Sequence, residues 1–293
     1  MIAAEQVRIL RERITDEIFL ALGMSKTGVL RHSLGWLFHL PTQRFASIFS
    51  SADQAAQETG LYGAGQELLR NLSVRWQARG SETLPHEGPL IVASNHPGAY
   101  DSAALAASIP RQDVKIIVYE IPFYHALENI QQRMIFVSPN PDLRLIALRG
   151  AIDHLRNGGA LIQFGTGRID PDPGVQDGSL EYLKNWSPSL EIMLRKVPET
   201  QLSLAMVSGV LMKRFVHHPL TLLRQEAIAR RRIAEFMQVI WQLITRKDPG
   251  VVTQISFAPP VNTGELQSDG NGRWMEGILS RARSLLTDHI AAY

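Results

Sequence analysis

Apolar positions in the first seventy residues recur at helical spacing. Val7, Leu10, Ile14 and Ile18 form one stripe with Gly23 as its stop, Leu30, Leu34 and Leu37 begin a second, and Phe45, Phe49, Ala52 and Ala56 mark a third helix ending near Gly60. From Ser73 the period changes: Val74, Trp76 and Ala78 alternate with Arg75, Gln77 and Arg79, as on a half-buried strand. Pro89 to Ser94 is a short apolar run of the kind buried on both faces. Further strands are predicted at Lys115 to Tyr119, Ala160 to Phe164, Leu202 to Val210 and Val252 to Phe257. Helical stretches lie between them: Ser102 to Ala107, Leu143 to Arg156, and a segment that puts Ile233, Phe236, Ile240 and Leu243 on one face behind Arg230 to Arg232. Strands alternating with helices predict an α/β fold with helices on the faces of a sheet. The change of period divides the chain into an N-terminal helical layer, residues 1–72, and an α/β domain, residues 73–293.

Composition narrows the function classes. With 45% hydrophobic and 20% charged residues, the 293-residue chain has the balance of a globular protein with a sizeable core. A net charge of +2 is too small to mark a nucleic-acid binder and mildly favours anionic substrates or membrane headgroups. The absence of cysteine excludes disulfides, thiolate metal sites and cysteine nucleophiles. No apolar run reaches the roughly 18 residues that cross a bilayer, and the N-terminus lacks a signal-peptide pattern. The expectation is a cytoplasmic protein, with peripheral contact at the inner face of the membrane left open. Leu34 to Leu40, with Trp36 and Phe38 and nearby Arg31, His32 and Arg44, fits either a membrane interface or packing of the helical layer.

The densest chemistry is Ser94-Asn95-His96-Pro97-Gly98-Ala99-Tyr100-Asp101, directly after the buried strand and before a helix. On one continuous helix His96 and Asp101 would lie about 140° apart, but Pro97 and Gly98 exclude that geometry. A turn instead brings Asp101 to or near the N-cap of the next helix, from which its carboxylate reaches back to the imidazole. A carboxylate on one ring nitrogen fixes the tautomer and leaves the other nitrogen to accept a hydroxyl proton. A Ser-His-Asp hydrolase would also need a nucleophilic serine, and no Gly-x-Ser-x-Gly elbow occurs. Without such a nucleophile, the substrate's own alcohol could attack a thioester directly. The plain alternative for the pair is a buried histidine beside an ordinary helix cap.

This block, Asn95-His96-x4-Asp101 after a buried strand, resembles the first motif of the glycerol-3-phosphate and lysophospholipid (1-acylglycerol-3-phosphate) acyltransferase family, and the order of elements extends the resemblance over roughly residues 73–210. The resemblance implies a mixed sheet flanked by helices and acyl transfer to a hydroxyl of a glycerol-phosphate or lysophospholipid-like acceptor. His96 would be the base and Asp101 its orienting partner. It implies acyl-CoA or acyl carrier protein as donor substrate and partner, a lipid-precursor alcohol as acceptor, and no separate cofactor. The family's Phe-Pro-Glu-Gly-Thr-Arg block corresponds to Gln163-Phe164-Gly165-Thr166-Gly167-Arg168, so Arg168 matches the family arginine while Gly165 replaces the glutamate. Pro139 stands where the family places a phosphate-binding arginine, which leaves Arg144 or Arg149 of the following helix as substitutes. The family's proline in the fourth block is absent from Leu202 to Val210. These departures mark a divergent member and leave a second reading, an inactive lipid- or acyl-carrier-binding protein on the same fold.

Gly165, Thr166 and Gly167 either present backbone N–H groups to an anion or make a turn, and Arg168 is either an anion ligand or a solvated loop charge. The stretch from Asp170 to Ser179, dense in proline, glycine and aspartate, is expected to be an exposed loop. Asp170, Asp172 and Asp177 fail the calcium-loop spacing, and His217-His218 has no partner at ligand spacing, so no metal is expected.

Overall fold

Three largely apolar runs of the sequence pair side by side at the centre of a seven-stranded sheet, where both of their faces are covered. In the computed structural model, which describes residues 2–21, 29–98, 100–138, 140–269 and 273–293, the strands are β1 (Arg75–Arg79), β2 (Leu90–Ser94), β3 (Lys115–Tyr119), β4 (Met134–Val137), β5 (Ala160–Phe164), β6 (Gln201–Ser208) and β7 (Val252–Phe257). Their spatial order is β1-β7-β6-β2-β5-β3-β4. The block from β6 to β4 is parallel, while β7 runs antiparallel to β6 and carries β1 parallel to itself. The fold is therefore α/β, with a mixed sheet flanked by helices. Every residue of β2 and β5 is buried.

Side chains alternate between two cores. Leu90, Val92, Ile162, Ala205 and Val207 join one, while Ile91, Ala93, Leu161, Leu204 and Met206 join the other. Burying each such leucine or isoleucine contributes about 1.5–3 kcal/mol. The first core is covered by α1 (Ile2–Ala21), α2 (Val29–Asn71) and α3 (Asp101–Ala106), through Leu10, Ala46, Ala56, Leu69 and Leu105. The second is covered by α4 (Pro141–Arg156), α6 (Ser189–Lys196) and α10 (Trp274–Ala292), through Ala151, Leu155, Leu190, Leu194 and Ile278. Short helices α5 (Ser179–Tyr182) and α7 (Lys213–Val216), then α8 (Ala227–Thr245) and α9 (Thr263–Asp269), complete the chain.

Several sequence expectations need correction. The second and third N-terminal helices form one continuous run, and the break is at Gly60, whose φ of 66° and ψ of −154° kink α2. The helix then continues to Asn71 because Leu61, Ala64 and Leu69 supply another buried face. β4 was not anticipated as a strand, since its four residues are too few to show a period. The expected stop at Gly23 and the side chains of Leu34 to Leu37 lie outside the described residues. Within that neighbourhood, Leu40 is exposed, and Arg44 donates to the carbonyls of Leu243 and Ile244, neutralising the C-terminus of α8. Among the described residues no helix is long and apolar enough to cross a membrane.

Candidate functional site

The parallel strands end together at one edge of the sheet, and the segment carrying His96 leaves β2 there. Asn95 follows the last residue of β2 and imitates a strand residue with its side chain: its Nδ2 donates to the Val207 carbonyl and its Oδ1 accepts from the Val207 N–H, both at 2.8 Å. The chain can thus leave the sheet without orphaning β6. Gly98 then turns at a φ of 93°, a conformation that favours glycine, and its N–H donates to Asp101 Oδ2 at 2.8 Å. Asp101 occupies the first position of α3.

From there Asp101 Oδ2 receives His96 Nδ1 at 2.7 Å. Asp101 is 1% exposed, whereas the His96 side chain is 27% exposed at the edge of the site. The imidazole stacks on Phe164, the last residue of β5, with ring centroids 4.1 Å apart and planes at 20°. Among the described residues nothing bonds to Nε2. The pair is thus oriented from one side by a carboxylate, held flat by an aromatic ring, and open at its second nitrogen.

The loop after β5 closes on His96 from behind. The His96 N–H donates to Asp170 Oδ2 at 2.9 Å, and the Asp170 N–H returns a bond to the His96 carbonyl at 2.7 Å. Asp170 Oδ1 lies 2.7 Å from the Thr166 hydroxyl. Asp172 is fully buried and accepts four backbone N–H bonds, from Gly174, Gly209, Val210 and Leu211, tying this loop to the end of β6. The expectation of an exposed loop from Asp170 onward therefore fails for residues 170–172: turn-forming residues resemble solvated ones in sequence, but here two aspartates replace missing backbone acceptors.

Charge concentrates around the imidazole. Burial pulls the His96 pKa down, but the carboxylates of Asp101, Glu235 and Asp170 outweigh it and leave it above the ordinary histidine value. Burial raises Asp170 to about 6 against the lowering effect of its Thr166 and His96 bonds. Tyr124 is pushed up to about 12 by burial and by the negative charges of Glu235 and Asp101, and Tyr100 is raised mainly by burial. Glu235 projects from α8, and a Cβ placed on Gly98 would lie 3.1 Å from its Oε2. Nothing local in the sequence announces Glu235, because it comes from a helix more than 130 residues downstream.

The other expected residues are placed as follows. Gly165 is buried, and a Cβ there would come within 2.2 Å of the Trp186 indole. Trp186 therefore fills the space that a side chain at position 165 would need. The N–H of Gly165 donates to Ser94, that of Gly167 to Phe164, and that of Arg168 to the Thr166 hydroxyl. These glycines shape the turn rather than offer N–H groups to an anion. The Arg168 side chain is exposed beside the site. Buried Arg231 of α8 holds the same loop, donating to the Ile169 carbonyl and the Tyr182 hydroxyl, both at 2.9 Å. Arg144 and Arg149 lie exposed on α4, which follows β4 and packs on β4 and β5, and Arg144 Nε donates to the Ser138 carbonyl at 3.2 Å. Pro139 lies outside the described residues. His218 caps a short 3-10 turn by accepting the Leu220 N–H, and Asp177 is exposed. Among the described residues no group of three or more His, Asp or Glu gathers at metal-binding distance.

No model of a known protein family matches the sequence, and no curated protein does. Among solved structures, the chain is similar to the crystal structure of the 1-acyl-sn-glycerophosphate (LPA) acyltransferase PlsC from Thermotoga maritima. The sequence identity is 14% and the TM-score 0.47, over 98% of each chain.

Proposed function

We propose that this chain is an O-acyltransferase that moves a fatty acyl group from an acyl-CoA or acyl carrier protein thioester to a hydroxyl of a glycerol-phosphate or lysophospholipid-like acceptor. The observation that carries the reading is the His96–Asp101 contact at 2.7 Å with no described residue bonded to Nε2, in a chain that has no cysteine and no Gly-x-Ser-x-Gly elbow. Nε2 accepts the acceptor's hydroxyl proton as its oxygen attacks the thioester carbonyl. Asp101 holds Nδ1–H and stabilises the imidazolium as it forms. The tetrahedral intermediate collapses, the C–S bond breaks, and the imidazolium returns its proton to the departing thiolate. Positioning and base catalysis together drive such a step, the base alone contributing about a hundred- to ten-thousandfold. The Arg168 guanidinium, exposed beside the site, is the cation proposed to meet an anionic part of donor or acceptor.

The test is release of free thiol from acyl-CoA and acyl carrier protein donors, with glycerol phosphate, lysophospholipids and neutral alcohols as acceptors. Acceptor-dependent release that falls about a hundredfold or more in His96→Ala supports the mechanism. Release indifferent to that substitution rejects it, and no release with any pair favours the binding-protein reading.

A further inference from the structure

We propose that the segment from Lys213 to Arg232 is a docking surface for an anionic lipid bilayer, set at the same edge of the sheet as His96. The segment connects β6 to α8 through α7 and a 3-10 turn, Pro219–Leu223. That turn carries the most exposed apolar side chains of the described chain: Leu223 is 76% and Leu222 68% exposed, with Leu220 at 48%. Arg224 adjoins the turn and Arg230 is bonded to it, while Lys213, Arg214 and Arg232 lie elsewhere in the segment, Arg214 over the Trp241 ring at 4.0 Å; all five are exposed, and among the described residues none forms an ion pair with a carboxylate. With buried Arg231 the segment holds six cations against the single acid Glu226, a net of +5 in a chain whose total is +2. The remainder of the chain is therefore net negative, and the segment that carries this apolar turn holds the excess of positive charge.

The placement is as specific as the composition. Arg230 Nε donates to the Arg224 carbonyl at 2.7 Å, fixing the turn to the start of α8. The next residue, Arg231, holds Ile169 in the loop that clamps His96. A second exposed apolar turn, Leu143, Leu145 and Ile146, follows β4 at the same edge. Protruding leucines with arginines beside them suit a bilayer, where apolar tips enter the acyl region and cations meet lipid phosphates. A folded acidic partner would need a socket shaped for Leu222 and Leu223, so the lipid surface is the simpler fit.

The chain has no cysteine, so Leu222→Cys provides a unique attachment point for an environment-sensitive fluorophore. The labelled protein is mixed with phosphatidylcholine vesicles with and without phosphatidylglycerol, and binding is read both by sedimentation and by the label's emission. Expected are sedimentation and a blue shift with phosphatidylglycerol only, both reversed by high salt. Leu222→Ser with Leu223→Ser should weaken partitioning roughly tenfold per leucine. Arg224→Gln and Arg232→Gln should each cost on the order of fivefold. These side chains are exposed, and thermal unfolding should not change. Sedimentation without a blue shift, or sedimentation untouched by the leucine substitutions, overturns the assignment. A blue shift on adding acyl carrier protein in place of vesicles would overturn it in favour of an acidic protein partner. Neither readout uses a substrate, so failure of the acyl-transfer reading leaves this surface standing.

Discussion

Replacing Asp101 with asparagine keeps the shape of the side chain next to the base and removes its charge. Asp101 Oδ2 accepts from His96 Nδ1 at 2.7 Å and Gly98 N–H at 2.8 Å, and both bonds can survive on an amide oxygen. What changes is the protonated imidazole. A hydrogen bond to a charged group is worth about 1.5–3 kcal/mol and a neutral one about 1, so the imidazolium loses about 1–2 kcal/mol, or about one pH unit in its pKa. Glu235 and Asp170 still hold that pKa up in part. Turnover should fall at least about five- to thirtyfold, the rate equivalent of that roughly 1–2 kcal/mol, because the imidazolium that forms in the transition state loses its charged partner. The assay is kcat/KM for thiol release from about pH 5 to about pH 9. A base must be neutral to act, so the wild-type acid limb should lie above the ordinary histidine value of 6.5, and the variant's limb about one pH unit lower. Asp101 Oδ1 is buried without a partner, so the new NH2 group costs about 1–3 kcal/mol of stability, to be checked by urea unfolding. A folded variant whose limb does not move, or whose turnover is that of the wild type, refutes the coupling.

Other expectations concern the supports of the site. The Asp170 carboxyl titrates near 6 folded and near 3.8 unfolded, so its ionisation weakens the fold above pH 6 and the penalty vanishes below about 3.8. Asp170→Asn, which can still accept from His96 and can donate to Thr166, should raise stability at neutral pH by up to about 3 kcal/mol and gain nothing near pH 4; destabilisation at neutral pH in urea melts would contradict this. His289 bridges Ser208 and Ser256 while buried, and its pKa is lowered to about 4, mainly by burial. Its contribution is full above 6.5 and is lost as pH falls toward 4, about 3 kcal/mol in all, and urea melts of His289→Gln should lack that slope. Gly165→Ala should cost about 1–3 kcal/mol by forcing Trp186 aside, with a change in tryptophan emission, and Gly165→Glu should cost more; unchanged melting in both would show that the indole moves freely.

What the sequence determined by itself was local and periodic. The central strands could be placed to within a residue or two because β2 and β5 are apolar at four of five positions each, as a strand buried on both faces requires. The His96–Asp101 turn was legible because proline, glycine and a following helix leave the backbone few routes over five residues. Tertiary structure decided what distant segments do to that turn. Asp170 and Asp172 read as solvated turn residues until β2 and β6 brought unpaired N–H groups to them. Glu235 and Trp186 owe their places beside His96 and Gly165 to the packing of α8 and of the segment before α6. Arg144 and Arg149, plausible by spacing, sit on the exposed side of α4, whose other side packs on β4 and β5. Local geometry is encoded in a few neighbouring dihedrals, whereas the charge and shape of a site are sums over whatever the folded chain brings near, and no short window of sequence contains that sum.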